Sequence, residues 1–127
     1  MKIGYVCSFI GQEDNAYSDT VTVTVLKKAG CQTIFSDLLD RVFDDQLNLV
    51  LALEYARGGD TLVVWDISAF SSDTQNFVDI MQTLQQRDID LQILAGNFSE
   101  IKARSWKSQV MLESYSVLAN LEHKYFS

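Results

Sequence analysis

The stretch Thr61-Leu62-Val63-Val64-Trp65 constrains the fold more than any other part of the chain. It is a continuous apolar run that follows a Gly58-Gly59 break. A strand with no polar alternate face is covered on both sides, as in parallel sheets with helices above and below. The remaining pattern agrees. Met1–Ser8, carrying Ile3, Tyr5, Val6 and Cys7, reads as a strand, as do Gln32–Ser36 and Ile89–Ala95. Helical spacing falls between them. Leu47, Val50, Leu51 and Tyr55 mark one helix, with Asp44 or Asp45 as its cap and Arg57-Gly58-Gly59 as its end. Phe77, Ile80, Met81 and Leu84 form the inward face of another, capped by Ser71, Ser72 or Asp73. Strands alternating with helices predict an α/β fold: a three-layer, open, mostly parallel sheet flanked by helices.

One segment opposes this order. Asp19–Val25 (DTVTVTV) alternates polar and apolar residues, which by itself predicts a strand. Parallel neighbours need a long crossover, however, and a strand here leaves none. The topology therefore predicts a helix over 17–29, stopped by Gly30. Ile101–Phe126 has no breaker and suits a long C-terminal helix, ~39 Å at 1.5 Å per residue. Trp106, Val110, Met111, Val117, Leu118 and Leu121 supply an apolar stripe along it. Lys102, Arg104 and Lys107, near its start, read as a solvated face.

Charge and composition narrow the functions. Ten Lys and Arg against 17 Asp and Glu give a net charge of −7. Affinity for nucleic acid is driven largely by cations that neutralise phosphates, so strong unaided DNA binding is not expected. Two cysteines, Cys7 and Cys31, and one histidine, His123, are too few for a structural zinc site and form no disulfide framework. No metal or cofactor is expected. No apolar run approaches the ~20 residues of a membrane span, and the N-terminus lacks the features of a signal peptide. These observations suggest a soluble protein of a reducing compartment, the cytoplasm.

Several stretches carry a resemblance. Met1-Lys2-Ile3-Gly4-Tyr5 opens the chain, followed by Leu26-Lys27-Lys28-Ala29-Gly30-Cys31 and Ile34-Phe35-Ser36-Asp37. Then comes Ala52-Leu53-Glu54-Tyr55-Ala56-Arg57-Gly58-Gly59-Asp60-Thr61-Leu62-Val63-Val64-Trp65. In this order and spacing the chain resembles the catalytic domain of the resolvase/invertase family of serine recombinases. The resemblance implies DNA strand exchange: a serine near the end of the first strand attacks a phosphodiester and becomes linked to the 5′ phosphate. Arginines and an aspartate surround that serine, without a metal. Phosphoryl transfer then depends on guanidinium groups to hold the phosphoryl oxygens.

The sequence departs from the family where those groups belong. Without a gap, Cys7 stands at the arginine, Phe9 at the nucleophile, and Ser8 falls one place early. With a one-residue gap, Ser8 recovers the nucleophile position and Val6 stands at the arginine. Asp45-Gln46 replaces an Asp-Arg pair, so Gln46 takes the place of a cation. Ser68 replaces an aspartate, Ala69 and Ser72 replace arginines, and Glu122-His123 replaces Glu-Arg. The resemblance therefore implies a degenerate member, a pseudoenzyme with Ser8 as its one candidate nucleophile. The expected activity is self- or hetero-association through the C-terminal helix, as a homodimer or with a recombinase subunit, with modulation of DNA recombination as the expected role. The alternative is an active recombinase using Ser8. A third class, a receiver-like acidic site, would use Glu13, Asp37 and Asp66. A single domain over 1–127 is expected, without a helix-turn-helix module.

Overall fold

The computed structural model describes residues 1–9, 19–39, 45–66, 69–70, 74–95 and 100–126. Strands β1 (Lys2–Phe9), β2 (Cys31–Leu39), β3 (Thr61–Val64) and β4 (Asp90–Ile93) alternate with helices α1 (Asp19–Lys28), α2 (Leu47–Tyr55) and α3 (Thr74–Gln86). Helix α4 (Trp106–Phe126) follows. The sheet order is β2-β1-β3-β4, and every pairing is parallel. The α/β architecture read from the strand and helix alternation is thus the observed one.

Period-two alternation divides the two faces. Ile3 and Tyr5 of β1 share a core with Leu49 and Ala52 of α2 and with Phe77, Ile80, Met81 and Leu84 of α3. Val6, on the other face, packs with Leu26 of α1, Cys31 and Val63. Neighbouring residues of β3 thereby enter different cores: Val63 joins the α1 side and Val64 the α2–α3 side, and both are fully buried. This is the arrangement the Leu62–Trp65 run requires.

Helix α1 forms from the alternating DTVTVTV segment because its outer contacts, not its propensity, decide. Thr22 and Leu26, four residues apart, are buried, while Val21 and Thr24 face solvent. Gly30 stops it in a left-handed conformation (φ +102°), with its N–H donating to Lys27 O. Gly4 allows the helix to sit close to β1: a Cβ there would meet Leu26 and Ile34 at 3.1 Å and Cys31 at 3.2 Å.

Two expectations are corrected. The first concerns the cap of α2, the helix that Leu47, Val50, Leu51 and Tyr55 mark; these four lie on its exposed side, and its buried residues are Leu49 and Ala52. Its entry residue, Gln46, makes no side-chain cap. The cap comes from β2, where Asp37 Oδ1 accepts from Asn48 N (3.0 Å) and Oδ2 from Leu49 N (3.1 Å). Asp44, like the Ser71–Asp73 cap of α3, lies outside the described residues.

The second concerns the tail, whose first five residues are not helical. Ile101 forms an antiparallel bridge with Leu91, and Ala103 N donates to Asp90 Oδ1 at 2.8 Å. Ser105 then caps α4, its Oγ accepting from Ser108 N at 3.2 Å. The helix of 21 residues spans ~31 Å. It lies on α3: Tyr115 packs on Phe77 with ring centroids 4.6 Å apart, and Gln85 Nε2 donates to Ser108 Oγ at 2.9 Å. No helix is long and apolar enough to cross a membrane among the described residues.

Candidate functional site

In open α/β sheets the crevice beyond the carboxyl ends of the strands, where the strand order reverses, is the natural site for a ligand. Here the reversal falls between β1 and β3, since β2 flanks β1 on one side and β3 on the other. A cavity of about 270 Å³ lies at that point, with Cys7, Thr22, Trp65, Asp66, Ala69 and Ala95 among its walls.

A hydrogen-bonded network closes one side of the crevice. The Tyr5 hydroxyl donates to Asp37 Oδ2 at 2.7 Å. Gln46 Nε2 donates to Tyr5 Oη at 3.0 Å and to Ala69 O at 2.7 Å. Asp37 also takes the two α2 amides, so among the described residues the donors to this buried carboxylate are neutral. Burial, and then the bond to Asp37, push the Tyr5 phenol far above its ordinary range. The phenol therefore stays protonated and remains a donor. No buried side-chain polar atom among the described residues lacks a partner.

Ser8 lies on the other face of β1 from Tyr5. The β1–β2 register runs without a shift from Ile3 to Phe9, so alternation along β1 continues to its end. Cys7 accordingly falls with Tyr5 on the α2–α3 side, where it packs against that core. Ser8 falls with Val6 on the α1 side. Gln46 and Ala69, expected at former arginine positions, are brought together by the Nε2-to-carbonyl bond. Ser68, Ser72 and Glu13, and the side chains of Phe9 and His123, lie outside the described residues.

The charges are distributed unevenly. Lys2 begins β1, Lys27 and Lys28 end α1 just before β2, and Arg57 and Arg87 lie just before β3 and β4. Lys102 pairs with Asp90 (3.2 Å) and Glu100 (2.9 Å), and Arg104 with Asp88 (3.3 Å). Lys107 lies in the first turn of α4, beside the end of α3. Every lysine and arginine with a described side chain thus lies toward the amino edge of the sheet, opposite the crevice. Lys102 and Arg104 precede α4 and Lys107 lies in its first turn; all three are exposed, as a solvated face requires, and the first two also form ion pairs. Among the described residues no group of three His, Cys, Asp or Glu is placed to hold a metal ion.

A family model, "Resolvase, N terminal domain", matches residues 12–127. The chain belongs to this resolvase family. The match opens after β1, so the Cys7-Ser8-Phe9 end of that strand precedes it. Among relatives of this resolvase-family domain, the Transposon Tn552 DNA-invertase BinR of Staphylococcus aureus is 28% identical over 123 residues, covering 96% of this chain and 61% of that protein. The DNA-invertase hin of Salmonella typhimurium is 28% identical over 123 residues, 96% of this chain and 60% of its own length. The serine recombinase gin of Escherichia phage Mu is 31% identical over 97 residues, 76% of this chain and 48% of its own. The resolvase-family chain therefore spans about three fifths or less of these relatives.

The interface residues proposed from the sequence divide between two sides of α4. Trp106, Val110, Val117, Leu118 and Leu121 are exposed, Trp106 by 72%. Met111 faces the other way and packs with Leu112 and Tyr115 against the α2–α3 core. Residues 106, 110, 117 and 121 follow a 4-7-4 spacing, which keeps them on one side of a helix. Helix α4 is apolar on two opposite faces, and only one is covered by its own chain.

Proposed function

We propose that this resolvase-family domain acts by association and has lost phosphodiester cleavage. The observation that carries this reading is the Tyr5–Asp37–Gln46 network. Where the family resemblance implies a guanidinium beside an aspartate, a glutamine amide joins a phenol to the Ala69 carbonyl, and the described donors to the neighbouring carboxylate are neutral. A site whose described residues supply no fixed counter-charge gives little stabilisation to the charge that develops on phosphoryl oxygens. Loss of one such donor typically costs roughly 10²–10³ in rate, and several losses act together without simple addition. The position of Ser8 on the α1 side, and of the described cations at the far edge, supports the same conclusion.

The association half of the reading draws on α4. Its uncovered apolar face suits pairing with the same helix of a second copy, or of a recombinase subunit, because such a seam excludes water along its length. Incubation with supercoiled plasmid, followed by denaturing gel analysis, is expected to give no nicked DNA and no covalent protein–DNA adduct. An adduct that disappears in Ser8→Ala would establish the opposite, an active recombinase. Light scattering is expected to show a dimer that Val110→Glu with Val117→Glu converts to a folded monomer. A strict monomer at high concentration removes self-pairing, and co-purification with an intact recombinase subunit then tests the heteromer.

A further inference from the structure

We propose that the cavity between the end of α3 and the start of α4 binds a free nucleotide, with its base stacked on Trp106 and its phosphate held by Arg104. The site lies at the amino edge of the sheet, opposite the crevice, and does not depend on the fate of catalysis there.

The cavity measures about 550 Å³, within the range of small-molecule sites, with Gln85, Gln86, Ala103, Arg104, Trp106 and Gln109 among its walls. Every segment that meets at this edge is described, 28–31, 56–61, 86–90 and 101–109 alike. Its walls suit a heteroaromatic anion. Trp106 is mostly exposed although Ala103 is buried, and a free indole face is a platform for a nucleobase. Three primary amides accompany it. Gln85 and Gln109 each commit Nε2, to Ser108 Oγ and Glu113 Oε1, both at 2.9 Å, which leaves their carbonyl oxygens as acceptors. The exposed side chain of Gln86 makes no hydrogen bond among the described residues, so its amide can pair bidentately with adenine N6 and N7. Arg104 meets Asp88 through Nε alone, at 3.3 Å, and keeps its terminal nitrogens for a phosphate. Lys107, exposed and next to Trp106 in the chain, adds a second cation.

The same charges favour a mononucleotide over a strand. A polynucleotide needs a groove of cations that follows its backbone. Here Asp88, Asp90, Glu100 and Glu113 stand among the cations, and the chain carries −7. One phosphate needs only Arg104 and Lys107.

Calorimetry on the full chain with adenosine monophosphate (AMP) at low salt is expected to give saturable binding. Trp106→Ala is expected to weaken it by about tenfold or more, as loss of base stacking does. Arg104→Gln is expected to weaken AMP and leave adenosine unchanged, because only the phosphate uses the guanidinium. Both side chains are exposed, so neither variant disturbs the fold. Trp106 also begins the uncovered face of α4. The titration is therefore repeated on Val117→Glu with Leu121→Glu, whose new charges start about 16 Å further along the helix. Binding by that chain alone supports the site and places it beneath a paired helix. No saturable heat from either chain, or equal affinity in Trp106→Ala, overturns the site while the plasmid and light-scattering results stand unaffected. A single strand that binds more tightly than AMP, in proportion to its length, overturns the free nucleotide.

Discussion

At the scale of single residues, Asp37 holds the crevice together, since one carboxylate accepts from Tyr5, Asn48 and Leu49. Tyr5→Phe removes a buried donor but leaves Asp37 with two amides and Gln46 with the Ala69 carbonyl. It is expected to cost about 1–3 kcal/mol. A urea titration reads this as a lower midpoint at unchanged slope. Trp106 offers the contrast. Its ring is mostly exposed, so Trp106→Ala is expected to change the stability of the isolated fold by no more than about 0.5 kcal/mol. Its effect belongs to association and to the cavity between α3 and α4.

At the scale of elements, α2 and α4 derive their order from different sources. Helix α2 is short, presents Leu47, Val50 and Leu51 to solvent, and depends on a cap supplied by β2. Asp37→Ala removes that cap and the Tyr5 acceptor at once, and is expected to cost more than Tyr5→Phe, about 3 kcal/mol. Hydrogen exchange should show the Asn48 and Leu49 amides losing protection before the rest of the core. Helix α4 is instead anchored by the Leu91–Ile101 bridge, the Ser105 cap and Tyr115 on Phe77. Phe77→Ala leaves a cavity beneath α3 and α4, with an expected loss of about 3–5 kcal/mol by chemical denaturation.

At the scale of the molecule, charge is sorted along the strand direction, with the described cations and their acidic partners at the amino edge. Asp60 illustrates the consequence. The Arg57 backbone N–H, and then the Met1 ammonium at 3.1 Å, hold its carboxyl below the usual carboxylate range. A carboxyl lowered on folding binds its proton less readily in the native state than in the unfolded one. Its stabilisation is therefore present above the unfolded value of ~3.9 and is lost as pH falls through the lowered one. Asp60→Asn should melt earlier than the parent at neutral pH, and the two melting curves should converge in acid. The difference should be small, since the pair lies near the surface.

Periodicity and punctuation were enough to establish the order of elements. Leu62–Trp65 demanded cover on both faces, Gly30 ended α1, and Phe77, Ile80, Met81 and Leu84 marked the buried side of α3; each is a local signal set by backbone geometry. Even the helix in DTVTVTV followed once parallel pairing was assumed. The folded chain alone decided which side of α2 turns inward, that Asp37 caps a helix from a neighbouring strand, and on which face Ser8 lies. These features depend on contacts between residues far apart in sequence and on a register that no local pattern encodes. The second apolar face of α4 belongs with them, because a helix with two apolar sides does not announce in its sequence which one its own domain will cover.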